Sequence, residues 1–534
     1  MIDVEYYKYT LKRSTYDIFS IVGQGDDIYT LGPQFLVEFW YLTLLFFAFV
    51  WLSIFVYNKL ENANFKVPDK KRDWIQKSVI SLFLLAFIIM GGRGGMQLIP
   101  LNIVDAGMFT TAQNVPLVLN TSFTVVRTWG KKGIESSEFF SEEELNRRFV
   151  PMDKPTSTGP FQKKNVVVII LESFSMEFVK DGPKANRSTP FIQQLKETSE
   201  YYDRCYANGK RSIEALPAIL SGIPTLMNEP FISSAYGGNP FESFATYLKP
   251  LGYHTSFFHG GKNGTMNFDG FIQAAGFDAY YGKDEYPDKS DYDNSWGIYD
   301  EPYLQYYVEQ LSSFRQPFMS SVFTLSSHHP YSIPEQHKDR FNQGETPLEN
   351  TIQYVDFSLE RFFKSAEQKD WFKNTVFVIT ADHTPDTKDP VYQRFYGMYH
   401  VPLIIYDPSN EIKVVNSKTC QQLDILPTIL FRLNYPEKVF GFGKNINSSE
   451  GGYAVQYINN TFQIIKDSLL YRTDLKQPMG LYNVFKDPLL NNELLAKAEN
   501  GAGYSGRVKE LDEELKAIVQ SYGQRMTNNQ LQIK

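Results

Sequence analysis

Cysteine is nearly missing from this chain. Two residues, Cys205 and Cys420, stand in 534. That is too few for a disulfide framework or a cysteine-rich zinc site, so both read as buried thiols. A basic excess is missing too. The net charge is −7 and no basic tail exists, which argues against nucleic acid as a partner. Internal repeats are absent. Histidine is scarce, with seven residues at 254, 259, 328, 329, 337, 383 and 400, so each one carries information. The length suits one large α/β domain with attachments.

Long apolar runs are also few. "FLVEFWYLTLLFFAFVWLSIFVY", Phe35 to Tyr57, has the length a bilayer demands and a single charge, Glu38, near one end. "SVISLFLLAFIIMGG", Ser78 to Gly92, is shorter and stops at Arg93. Next to the first run it reads as a second span. The loop between them carries Lys59, Lys66, Lys70, Lys71, Arg72 and Lys77. The positive-inside rule puts that loop in the cytoplasm and both flanks outside. The segment before Phe35 has no signal-peptide pattern. A chain that starts outside without an export signal is expected to lack spans upstream.

Residues 100–160 read as a connector. It has a short helix in "SSEFFSEEELNRRF" and a Pro/Gly-rich linker in "VPMDKPTSTGP". Then "KKNVVVIILESFS" begins with an unbroken β-branched run, the mark of a strand buried on both faces of a parallel sheet. "NTVFVITADH" and "HVPLIIYDP" are two more such strands. Helical patterns such as "TPFIQQLKETS" lie between them. Strands alternating with helices predict a doubly wound α/β domain. After about residue 445 the chain turns to short strands and a final amphipathic helix, "SGRVKELDEELKAIVQSYGQ".

Active sites of open parallel sheets lie at the carboxyl ends of the strands. One strand ends in Glu172 and another in Asp382-His383. Carboxylates at such tips lose hydration unless they meet a cation or donors. Together with a histidine they form a plausible metal-ligand set. His259 follows the apolar run Ser256 to Phe258, and His328-His329 follows "FMSSVFTL". His254 alternates within its strand and reads as structural, His337 as a loop residue, and His400 as open. Ser212 opens a helical stretch, "SIEALPAILSG", after Lys210 and Arg211. Free N–H groups and the helix dipole there suit an N-cap, and equally a phosphoryl group under transfer. Both readings stay open on local physics.

In this order the motifs resemble the alkaline phosphatase/sulfatase superfamily, and within it the lipoteichoic acid synthase and phosphoglycerol transferase branch. "NVVVIILES" is similar to the branch's first strand and metal-binding Glu, and "GKRSIEALPAILSGIP" to its nucleophile segment. Ser212 stands ten residues before Gly222, the spacing of a sulfatase nucleophile. The resemblance implies a sulfatase-like catalytic domain over 161–445, a smaller α+β C-terminal part over 446–534, and a membrane region over 33–99. It implies that Glu172, Ser212, Asp382 and His383 hold one divalent cation. Mn²⁺ is the first choice, with Mg²⁺, Ca²⁺ or Zn²⁺ as alternatives. Ser212 is then also the nucleophile, and His328 stands near the leaving group or acceptor. His259, His329, Lys210 and Arg211 become substrate-pocket residues.

Two departures bear on the reaction. Ser212 is not followed by the x-Pro-x-Arg pattern that sulfatases need for formylglycine maturation, so sulfate-ester hydrolysis is disfavoured. Lipoteichoic acid synthases carry Trp and Arg seven and nine residues after the His259 position, where this chain has Met266 and Phe268. A bidentate phosphate contact is therefore missing. The resemblance implies transfer of a phospho-alcohol head group from a membrane phospholipid, through a Ser-linked intermediate, to an envelope glycan or lipid. The enzyme would sit in the cell membrane as a multi-pass protein with its catalytic domain outside. A phosphodiesterase or sulfuric ester hydrolase of the same fold, and an inactive envelope-binding protein, are the alternatives.

Overall fold

The computed structural model describes residues 40–61, 73–96, 101, 103–110, 115–129, 134, 138–153, 159–449, 452–496 and 504–533. The chain divides into two compact units, 1–103 with 119–133, and 104–118 with 134–534. Among the described residues the first unit holds two long helices, α1 (Trp40–Glu61) and α2 (Asp73–Arg93), and a short one over Thr121–Thr128. Trp51, Phe55, Phe83, Phe87 and Ile88 on them are more than half exposed. Among the described residues one helix, over Trp40–Lys59, is long and apolar enough to cross a membrane. Glu38 and the basic cluster from Lys66 to Arg72, on which the orientation rested, lie outside the described residues, as does the segment before Phe35.

The second unit is built on a sheet of nine strands among the described residues. They are β1 (Asn165–Leu171), β2 (Glu200–Tyr206), β3 (His254–His259), β4 (Ala279–Tyr281), β5 (Phe318–Phe323), β6 (Thr375–Ala381), β7 (His400–Tyr406), β8 (Val414–Asn416) and β9 (Cys420–Gln421). Their order is β9-β2-β7-β6-β1-β5-β3-β4, with β8 beside β2. Strand β1 lies in the middle, parallel to β5 and β6. Its seven residues are all buried, which is why the sequence there is an unbroken apolar run. Helices such as α4 (Asp300–Ser313) and α5 (Pro347–Ala366) pack between strands in the chain order. Past residue 450 a four-stranded antiparallel sheet, β10 (Tyr453–Ile458), β11 (Thr461–Lys466), β12 (Leu469–Thr473) and β13 (Pro478–Asn483), packs against the last helix, Ser505–Thr527.

One strand corrects the sequence reading. β7 is the "HVPLIIY" run and is buried throughout, but it runs antiparallel to β6 and β2. An all-apolar run reports burial on both faces and is blind to direction. Direction follows from the connection. Residues 382–399 link β6 to β7 with no α-helix, and a parallel neighbour needs a helical crossover. The sheet is therefore mixed.

The helix after β2, α3 (Ser212–Ser221), stops at Gly222, whose φ is +62°. Its N–H donates to the Ala218 carbonyl at 3.1 Å. A Cβ there would meet the Gly441 Cα at 3.1 Å. Gly222→Ala combines a left-handed backbone with a tight backbone contact. It is expected to cost roughly 1 kcal/mol or more of stability, read as a lower urea midpoint at unchanged m.

Candidate active site

Strands β1 and β6 bring Glu172 and Asp382-His383 to one edge of the sheet. The loop after β2 brings Ser212 to meet them. That loop is tied down by two buried glutamines. The Asn208 N–H donates to Gln422 Oε1 at 3.0 Å, and Asn208 Nδ2 donates to Gln421 Oε1 at 2.8 Å. Gln422 Nε2 in turn donates to the carbonyls of Ala381 and Asp382 at 2.7 and 2.8 Å. One side chain thus fixes the serine loop against the acid pair.

Ser212 is not the cap of its helix. Arg211 holds the extended N-cap position. The Glu214 carboxylate reaches back and accepts the N–H groups of Lys210 and Arg211 at 2.8 and 3.0 Å. Ser212 Oγ instead donates to Glu172 Oε2 at 3.2 Å and lies 3.3 Å from His383 Nε2. Local pattern could not separate cap from nucleophile because both put an oxygen at the first turn.

Ligand atoms of Glu172, Asp382 and His383 all lie within 4.8 Å of one another. His383 Nδ1 sits 3.0 Å from the Thr384 carbonyl, which only accepts, so Nδ1 carries the proton and Nε2 presents its lone pair. That lone pair faces Asp382 Oδ2 at 3.1 Å. Asp382 Oδ2 is buried without a hydrogen-bond partner. Its other oxygen accepts the N–H groups of Ser173 and His383 at 2.8 and 2.6 Å. Burial first, then the repulsion of Asp382, pushes Glu172 up to about 7. Burial also pushes Asp382 up to about 6. Carboxylate oxygens and an imidazole nitrogen converging around a buried Asp382 Oδ2 that has no donor are the arrangement a cation satisfies. Two carboxylates, one imidazole and one hydroxyl suit a divalent ion of the Mn²⁺, Mg²⁺ or Zn²⁺ type.

Lys210 and Arg211 have partners inside the protein. Lys210 Nζ donates to Thr384 Oγ1, the Thr384 carbonyl and the Met398 carbonyl at 2.6, 3.0 and 3.0 Å. Burial lowers its pKa to about 8. The Thr384 carbonyl is also the acceptor of His383 Nδ1, so Lys210 stands behind that histidine. Lys210→Met is expected to weaken divalent-cation binding about tenfold, measured by titration calorimetry. Arg211 pairs with Glu214 at 2.7 Å and with the Asn228 carbonyl at 3.0 Å.

The other histidines separate by environment. His328 follows β5 and is half-buried. Its Nδ1 donates to the His329 carbonyl at 2.8 Å, leaving Nε2 free. His329 is exposed. His259 ends β3 but is 1% exposed, packed against Phe268 and Phe323. Its Nδ1 has no partner, and burial lowers its pKa to about 3. His400 is buried against Tyr206 with Nε2 on the Asp203 carbonyl at 2.8 Å. His254 lies against Phe314 and 3.8 Å from Asp278. His337 packs among Phe341, Tyr354 and Phe357. Beside the His328 segment, Tyr331 and Asp386 line a cavity of about 630 Å³.

The sulfatase family model matches residues 164–435, just over half the chain. The chain belongs to the sulfatase family. It is similar to lipoteichoic acid synthase 1 of Bacillus subtilis (strain 168), 26% identical over 348 residues that cover 59% of this chain and 53% of that protein. It is similar to the lipoteichoic acid synthase of Staphylococcus aureus (strain USA300), 26% identical over 340 residues, 59% of this chain and 52% of that protein. The chain spans about half the length of these relatives. The lipoteichoic acid synthase LtaP from Listeria monocytogenes superposes with a TM-score of 0.60 at 18% identity, over 72% of this chain and 98% of that one. A protein in the alkaline phosphatase superfamily from Vibrio parahaemolyticus gives 0.54 at 22% identity, over 71% and 95%. The sulfatase fold resemblance therefore holds, with a mixed sheet.

Proposed function

We propose that this sulfatase-family chain is a membrane-anchored, metal-dependent phosphotransferase. It would move a phospho-alcohol head group, phosphoglycerol-like, from a membrane phospholipid to an envelope glycan or lipid. The observation that carries the reading is Ser212 Oγ, freed from capping and aimed at Glu172 and His383. The similarity to lipoteichoic acid synthases supports this substrate class. The catalytic domain is assigned to 161–445 with a C-terminal subdomain over 446–534, joined by a connector at 100–160 to a membrane region at 33–99. Two spans, α1 and α2, would hold it at the outer face of the cell membrane and raise the local lipid concentration.

Glu172, Ser212, Asp382 and His383 would hold one divalent cation, Mn²⁺ by resemblance. The ion would supply charge that lowers the pKa of the serine hydroxyl and neutralises phosphoryl oxygens. Ser212, its hydroxyl proton given up to water, attacks the phosphorus of the lipid head group through Oγ. The Ser–O–P bond forms and the bond to the diacylglycerol oxygen breaks. The leaving oxygen takes a proton from His328 Nε2. An acceptor hydroxyl then gives its proton to His328, attacks the same phosphorus and releases Ser212.

The test is diacylglycerol release by the full chain in phosphatidylglycerol and phosphatidylethanolamine vesicles. Release is expected with Mn²⁺ and not after chelation, with the head group recovered on an added glycan or lipid. Recovery only as the free phospho-alcohol would make the enzyme a phosphodiesterase. No release from either lipid would refute the donor.

A further inference from the structure

We infer that Trp296 is a positioning residue for His328, holding its imidazole for proton transfer to the leaving oxygen. The inference rests on the reading of His328 given above. The His329 carbonyl accepts two hydrogen bonds. One comes from His328 Nδ1 at 2.8 Å and the other from Trp296 Nε1 at 2.6 Å. The indole and imidazole rings also touch, with centroids 4.2 Å apart and planes at 58°. A histidine on a loop past the end of a strand has free side-chain torsions. Here one carbonyl fixes its Nδ1 proton, and the indole fixes both the carbonyl and the ring. Nε2 is left as the group that meets substrate.

Trp296 is itself held. Asp293 Oδ1 accepts the N–H groups of Ser295, Trp296 and Gly297 at 2.8, 2.8 and 3.0 Å. Gly297 lies so close to the next segment that a Cβ would stand 2.5 Å from the Gly260 carbonyl. Four residues after Trp296, Asp300 accepts the N–H groups of Leu325 and Ser326 at 2.8 and 2.9 Å. The Asp300 N–H donates back to Ser326 Oγ at 3.0 Å. The stretch 293–300 therefore grips the His328 loop at both ends, by carboxylate at 325–326 and by indole at 329. A tryptophan serving only as core would be buried, yet Trp296 is 38% exposed. Its ring is spent on the imidazole and its N–H on the carbonyl.

The reaction offers a readout that a merely structural residue would not move. An alkoxide leaving from diacylglycerol needs a proton, whereas para-nitrophenolate leaving from an aryl phosphoglycerol diester does not. Full-length wild type, Trp296→Phe, Trp296→Leu and His328→Ala are assayed with Mn²⁺ on phosphatidylglycerol and on the aryl diester, in single-turnover mode. The ratio of lipid to aryl rates is expected to fall roughly a hundredfold in His328→Ala and roughly tenfold in Trp296→Leu. Trp296→Phe keeps the ring and loses the N–H, so it should lie between wild type and Trp296→Leu. It also serves if Trp296→Leu fails to fold. A ratio that stays constant in both Trp296 variants while it falls in His328→Ala would overturn the positioning role and leave the acid in place. A constant ratio in His328→Ala would refute the acid itself, and with it this inference.

Discussion

Ser212→Ala is expected to reduce lipid turnover by a factor on the order of 10⁴ or more, because it removes the oxygen proposed to bond phosphorus. The helix should survive. Its cap is the Glu214 carboxylate on the N–H groups of Lys210 and Arg211, not the serine hydroxyl. Circular dichroism and the urea transition of the variant should therefore stay near those of the wild type. Ser212→Thr keeps a hydroxyl at the same site and should keep measurable turnover. Rates on phosphatidylglycerol vesicles check both. A Ser212→Ala protein with full activity would move the nucleophile elsewhere.

The second large effect concerns the acid pair. Without a cation, burial and the repulsion of Asp382 push Glu172 up to about 7, and burial pushes Asp382 up to about 6. Both lie above their ordinary values, so near neutral pH the empty site retains protons that a cation must displace. The sign follows directly. Cation affinity falls as pH drops through 7 and 6, by about tenfold per pH unit for each proton displaced, and levels off above 8. Mn²⁺ titrations between pH 5.5 and 8.5 would read the slope. A hundredfold excess of Mn²⁺ over its Kd should stabilise the folded domain by about 2.7 kcal/mol. Asp382→Asn should abolish both the binding and the stabilisation, since Oδ2 is the buried oxygen without a donor. A pH-independent affinity would contradict this account of the site.

Much of this site was legible in the residues. Glu172 and Asp382-His383 follow unbroken apolar runs, and such runs mark central strands whose ends carry chemistry. The spacing of Ser212 to Gly222 marked the helix that Ser212 opens, and Gly222 indeed closes it in the left-handed region. Strand direction in β7 was not legible, because burial on both faces leaves the same pattern in either direction. Nor were the partners of Lys210 and Arg211 within the fold, since a cation beside a phosphoryl site and a cation tied to carbonyls look alike in one dimension. Lys210 reaches Thr384 and Met398, 174 and 188 residues away. Trp296 and Gln422 were missed for the same reason. The signal for Trp296 was faint, a single aromatic between a polar run and a glycine, and nothing local pairs it with His329.

The most direct measurement traps the covalent state. Full-length His328→Ala is mixed with Mn²⁺ and the aryl phosphoglycerol diester. The first step then needs no acid, and the second lacks its base. Quenched protein is digested and its peptides are weighed. The account predicts a phosphoglycerol adduct on the peptide carrying Ser212, growing in step with nitrophenolate. Nitrophenolate released with Ser212 unmodified at every time point would contradict it.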